Sequence, residues 1–346
     1  MKKRRFLIVD TINEIPSHYQ YFLLSERLIK EGNEVIFITD SFKQIPGYLG
    51  KIYYWKEKSF FKSIFFFINL IIKYKKFDAV ILNFSATKYS FLFYFISKKV
   101  ILTIQSDFFS KNKIVKFKRS IKYFFCNNLL TVSLYMKKKI QDNYYFISKH
   151  KCSYLYNSIC FDKYVNQIKL SNKRPDFINL ESKKIIFVGG LEDHKGFKEL
   201  IEFLISTIKY SNIVTIAGEG SLKGLIPKNN YRINYLGKIN HSEVFKQLLQ
   251  HQFLILPSKN EAFGQVIIEA FVMGVIPVVR KNTGASELIK HGVNGFLFDN
   301  IEEAFCYINQ TSDKELKYIY QNIIKQRNIF DSKFWVESFY QKVLKE

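Results

Sequence analysis

The sequence predicts an α/β protein built from two successive doubly wound halves, each a parallel sheet wrapped by helices. Three observations carry that prediction: the chain length, the alternation of short apolar strand-like runs with helical periodicity, and a polar break near mid-chain. At 346 residues the chain exceeds what one hydrophobic core comfortably serves. Two domains are therefore expected.

The elements follow in order. Residues 6–9, 35–39, 79–82 and 100–104 are short runs rich in Val, Ile and Leu, and they read as strands separated by helical stretches. A second series begins after the polar stretch 169–176, with strands expected at 184–188, 213–217, 233–236, 253–256 and 276–279. The linker falls near residues 168–180, where Ser171-Asn172-Lys173-Arg174-Pro175 carries turn chemistry and little apolar content. Domains are expected over residues 1–170 and 171–330, with a final helix over 331–346. Open parallel sheets bind ligands beyond the carboxyl ends of their strands, so the crevice between the halves is the expected site.

Composition narrows the class. Hydrophobic residues make up 47% of the chain, and 35 Phe and 22 Tyr stand against only 6 Pro, which excludes a disordered chain. The formal charge of +23 is unevenly placed: residues 1–180 hold 32 Lys and Arg against 12 Asp and Glu, and residues 181–346 hold 21 against 18. A first half at net +20 should attract an anionic partner, either a membrane surface or a nucleic acid. No nucleic-acid module motif is visible, so nucleic acid ranks below the membrane. Residues 58–76 and 111–125 combine bulky apolar centres with basic flanks, which suits either a membrane interface or core helices with a solvated lysine face.

The run 64–72 is about half the roughly 20 residues a spanning helix needs. It is also interrupted by Asn69. Cys126, Cys152, Cys160 and Cys306 lack metal-ligand spacing, and Met1-Lys2-Lys3-Arg4-Arg5 runs directly into the first strand. The expectation is a cytoplasmic protein with reduced thiols, peripheral at the inner face of the plasma membrane.

The sharpest chemical signal lies in residues 253–298. An apolar strand, FLILPS, leads into Lys259-Asn260-Glu261-Ala262-Phe263-Gly264-Gln265 and then a helix carrying Glu269. Helix starts leave amides without intrahelical partners, so the N–H groups of Phe263, Gly264 and Gln265 are candidates to cap an anion at the positive end of a helix dipole. Gly264 would let a diphosphate approach the backbone. Glu261, on the loop, and Glu269, inside the helix, could face the same cleft and accept hydrogen bonds from sugar or ribose hydroxyls.

Together with Gly274, Pro277, Gly284-Ala285-Ser286-Glu287 and Gly292-Val293-Asn294-Gly295, this stretch closely resembles the signature of the family-4 glycosyltransferases. Residues 186–196, 216–220 and 235–239 fall in the order that family shows. The resemblance implies the GT-B fold, two Rossmann-like domains facing a central cleft, and transfer of a hexose with retention from a nucleotide-diphosphate sugar to a glycan or lipid-linked acceptor in cell-surface polysaccharide assembly, such as lipopolysaccharide or capsule. It implies that Lys195 neutralises the donor diphosphate, Glu261 contacts the transferred sugar, Glu269 binds the ribose, and Gly237-Lys238-Ile239 borders the nucleobase. Members usually carry an arginine where this chain has Gly190, so half of the diphosphate clamp is missing. No D-x-D pair occurs, and neither a metal ion nor an organic cofactor is expected. The resemblance also implies that the last helix packs back across the first domain.

Resemblance thins in the first half. Gln105 stands where members often have a cleft-facing histidine, and His18 is a second candidate on the acceptor side. Two rival readings remain: a non-hydrolysing sugar-nucleotide epimerase on the same architecture, which would isomerise a donor without an acceptor, and a basic nucleic-acid-binding protein.

Overall fold

The computed structural model describes residues 3–10, 19–39, 48–55, 59–105, 112–144, 147–172 and 183–345. They form two compact units, Met1–Ser158 with Ser332–Glu346, and Ile159–Asp331.

The first unit holds a parallel sheet of β1 (Arg5–Val9), β2 (Glu34–Thr39), β3 (Lys51–Tyr54), β4 (Ala79–Asn83), β5 (Val100–Ile104), β6 (Asn128–Thr131) and β7 (Cys152–Tyr154), in the order β3-β2-β1-β4-β5-β6-β7. Strands β1, β4 and β5 are buried along nearly their whole length because helices cover both faces, which is why they read as unbroken apolar runs. The sequence reading missed β3, β6 and β7. Of these, β3 and β7 are the edge strands of the sheet and lack a continuous buried run.

Right-handed crossovers put α1 (Tyr19–Lys30) on one face and α2 (Phe60–Tyr74), α3 (Ser90–Tyr94), α4 (Lys113–Phe124) and α5 (Leu134–Asn143) on the other. The last helix, α12 (Ser332–Phe339), lies on α1: Trp335 meets Tyr21 edge-on at 5.0 Å and stacks on Phe339 at 4.9 Å. A buried polar network anchors its start. Ser158 donates to Gln20 at 2.7 Å and shares a 3.0 Å hydrogen bond with Ser332.

The second unit holds β8 (Ile185–Val188), β9 (Val214–Ala217), β10 (Ile233–Gly237), β11 (Phe253–Leu256), β12 (Ile276–Arg280) and β13 (Phe296–Phe298) in the order β10-β9-β8-β11-β12-β13, all parallel. Its helices are α6 (Val165–Ser171), α7 (Phe197–Ser206), α8 (His241–Leu249), α9 (Gln265–Met273), α10 (Ile301–Gln310) and α11 (Asp313–Gln326). The chain passes into this unit at residue 159, ahead of the polar stretch 168–180, of which residues 173–180 lie outside the described set. The reason is α6. Buried Arg327 donates to Ser171 Oγ at 2.9 Å, Asn172 Oδ1 at 2.7 Å and the Val272 carbonyl at 3.1 Å, tying α6 to α9. Among the described residues no helix is long and apolar enough to cross a membrane.

Candidate active site

In the second sheet the order reverses between β8 and β11, so the chain leaving these neighbours turns to opposite sides and opens a crevice at their carboxyl ends. Both loops that carry the predicted ionic residues leave from there. The loop after β8 ends in Lys195 and Gly196; the loop after β11 runs from Pro257 through Glu261 to Gly264.

Two contacts bring these loops together, and a third braces the β11 loop from the loop after β12. Gly196 has φ +71°, and a Cβ there would run into the Pro257 carbonyl, so only glycine lets the loops touch. The Lys259 amide donates to the His194 carbonyl at 2.9 Å. On the far side the Gly284 amide donates to the Glu261 carbonyl at 2.7 Å, and a Cβ on Gly284 would meet the Ala262 carbonyl. Held between these contacts, Lys195 Nζ lies 2.7 Å from Glu261 Oε2. Ser258 Oγ donates to the same oxygen at 3.4 Å. The pair is mostly shielded, at 27% and 13% side-chain exposure, so its attraction is less screened than that of a surface pair.

Directly after Glu261 and the buried Phe263, α9 begins. Gly264 is its N-cap in the left-handed conformation, with φ +81°, and supplies no side-chain cap. In the first turn the Ile267 amide donates to the Gly264 carbonyl at 2.9 Å, and the positive end of the helix points toward the crevice. The side-chain amide atoms of Gln265 are buried there without a hydrogen-bond partner.

A second cluster surrounds a cavity of about 360 Å³ at the carboxyl ends of β8, β9 and β10. Gly190, Gly218, Glu219, Lys238, Ile239 and His241 line it. Gly237 ends β10, and its carbonyl accepts from the Gly218 amide at 2.8 Å, which aims Lys238 and Ile239 at the cavity. Gly190 has room for a side chain: a Cβ would come no nearer than 3.7 Å to Glu192 Cγ. Glu269 is only 3% exposed, and burial pushes its carboxyl up to about 7. One of its oxygens lies 3.8 Å from His241 Nδ1, linking α9 to the cavity wall.

The structure thus brings Lys195 to Glu261, and Gly190, Lys238 and Ile239 to one cavity. On the other unit, Gln105 accepts a 2.9 Å hydrogen bond from Asn157, within the polar network that also holds Gln20. His18 lies outside the described residues. Sequence reasoning passed over Ser258 and His241. For His241 the signal was Asn240, a helix cap directly after the Gly237–Ile239 loop, which fixes His241 at the first helical position. Among the described residues no three His, Cys, Asp or Glu side chains cluster as metal ligands would. A larger cavity, about 760 Å³, opens at the amino ends of β8, β9 and β10. Its polar wall is already satisfied: His251 is engaged by the Gln247 carbonyl at 2.6 Å and by Thr215 at 2.7 Å. It also sits at the opposite end of the strands from the crevice, where sheets of this kind do not hold ligands.

Residues 169–326 match the sequence profile of the family described as "Glycosyl transferases group 1". A 41.2 kDa protein in the cps region of Klebsiella pneumoniae is 26% identical over 309 residues, covering 80% of this chain and 82% of that one. The fold is similar to Anabaena HepE, crystallised with UDP and glucose, at a TM-score of 0.74 and 16% identity over 99% of this chain and all of the other. It is also similar to the lipopolysaccharide outer core galactosyltransferase WaaB, at a TM-score of 0.67 and 18% identity over 99% of both chains. Residues 169–326, a little under half of the chain, are thus similar to the glycosyl transferases group 1, and the two parallel sheets with interleaved helices share the GT-B fold of these solved structures.

Proposed function

We propose that the protein transfers a hexose from a nucleotide-diphosphate sugar to a glycan or lipid-linked acceptor in cell-surface polysaccharide assembly, with retention at the anomeric carbon and without a metal ion. The observation that carries this reading is the 2.7 Å contact of Lys195 with Glu261, one turn of chain ahead of the glycine-capped start of α9. Without a donor the ammonium faces the carboxylate. When a donor enters, its diphosphate is the stronger attractor, and Lys195 shifts toward it while Glu261 turns to the sugar hydroxyls.

Transfer breaks the bond from the anomeric carbon to the phosphate oxygen and forms one to the acceptor oxygen on the same face. The acceptor proton passes to the departing phosphate. Negative charge grows on that phosphate, and the Lys195 ammonium with the α9 amides stabilises it in place, which favours the transition state over the bound donor. The 360 Å³ cavity beside Gly190, Lys238 and Ile239 takes the nucleoside, with Glu269 on the ribose.

UDP-glucose is the first donor to test, because HepE was crystallised with UDP and glucose. A thermal-shift panel of nucleotide sugars identifies the donor through ligand stabilisation of the folded state, and a labelled-donor product assay then follows the sugar. Lys195→Ala should lower turnover by about a hundredfold or more, the range for losing one positioned charge donor, while nucleotide alone still binds weakly. Near-normal turnover in that variant rejects the assignment. Isomerised donor without acceptor would mark an epimerase instead.

A further inference from the structure

Two helices of the first unit turn apolar stripes toward solvent. In α2 the core side is Ser63, Phe67, Leu70 and Tyr74. Phe61, Phe65, Ile68 and Ile72 repeat the same spacing two residues out of step, on the opposite side of the helix, and are 80%, 67%, 38% and 68% exposed. Helix α4 is stranger still. It buries only Ser120 and Tyr123, and leaves Ile114, Phe117, Ile121 and Phe124 between 42% and 65% exposed. Its amphipathicity is reversed relative to an ordinary surface helix.

The two stripes share one layer. Phe67 of α2 packs on Tyr89 and Phe93, and on the other flank Ser90 donates to the Lys122 carbonyl of α4 while Tyr94 meets Phe125. Between them Phe95 is 81% exposed. Neither helix contains an Asp or Glu, and Lys62, Lys73, Lys113, Lys118 and Lys122 flank the apolar positions. A groove of about 400 Å³ between α3 and α4 is lined by Phe91, Ile121 and Phe125 together with Lys88, Lys118 and Lys122.

We propose that this face docks on an anionic lipid bilayer, with the α2 and α4 stripes at the acyl boundary and the lysines among the phosphate headgroups. Apolar rings ringed by cations with no carboxylate match that surface in both chemistry and charge. A second copy of the chain would bring its own lysines against these, and like charges would oppose the contact. The inference does not rest on the transfer reaction.

Co-sedimentation with vesicles of phosphatidylglycerol and phosphatidylcholine, against phosphatidylcholine alone, tests it. The intact protein should pellet with the anionic vesicles at low salt, stay in solution with the neutral ones, and release as salt rises. Lys62→Gln with Lys118→Gln should weaken binding about 25-fold, since each lysine at such a surface contributes about fivefold. Phe61→Ser, Phe65→Ser, Phe117→Ser and Ile121→Ser together should abolish it with unchanged circular dichroism, because all four side chains are exposed. Absence of pelleting by the intact protein, or equal pelleting of the fourfold variant, overturns the proposal. So does self-association in sedimentation velocity without lipid that the same substitutions remove. All these positions lie in the first unit, so nucleotide-sugar binding by the second remains a separate readout in every variant.

Discussion

Glu269 shows how one side chain can bind stability to pH. Its carboxyl sits at about 7 because burial penalises the charge, against an ordinary value of 4.5 in the unfolded chain. Below 4.5 both states hold the proton, and the group's contribution is whole. Between 4.5 and 7 the unfolded chain ionises while the folded one does not, so stability falls as pH rises, levelling off above 7 at about 3 kcal/mol lower. Glu269→Gln has no proton to lose. Melting curves across this range should show the variant gaining on the parent up to pH 7 and running parallel above it; a constant gap would mean that Glu269 titrates normally. Lys195 and Glu261 differ from it in having a direct partner, each other, at 2.7 Å.

At the scale of the element, the proposed diphosphate site rests on the start of α9. Gly264 caps it from the left-handed region, and a Cβ there would stand 3.0 Å from the Ala285 Cβ. Gly264→Ala should destabilise the protein by about 1 to 2 kcal/mol through backbone strain. It should also weaken nucleotide-sugar binding in titration calorimetry beyond what that loss explains, because the helix amides are re-aimed; unchanged affinity would detach the helix start from the donor. Helix α4 carries a different lesson. Its sequence alternates Lys with Ile and Phe in a way that fits a helix either side out, and only the packing of Ser120 and Tyr123 against the sheet layer decides which side faces water.

Over the whole molecule, the chain leaves the first unit at residue 158 and returns at residue 332, so the last helix completes a core that began with β1. Trp335 is 2% exposed against Tyr21 and Phe339, and Trp335→Ala should cost about 3 to 5 kcal/mol. Calorimetry should place that loss in the first unit and leave the nucleotide-stabilised transition of the second unmoved; a single transition lowered for both would make the units one cooperative body. The sequence by itself determined the α/β class and nine of the strands, because a buried parallel strand needs a continuous apolar run, which is a local demand. Short strands such as β7 and β13, the burial of Glu269 beside His241, and the outward turn of the α2 and α4 stripes were decided only by the tertiary structure. Each depends on which neighbour occupies the other side of a residue, and no local pattern records that.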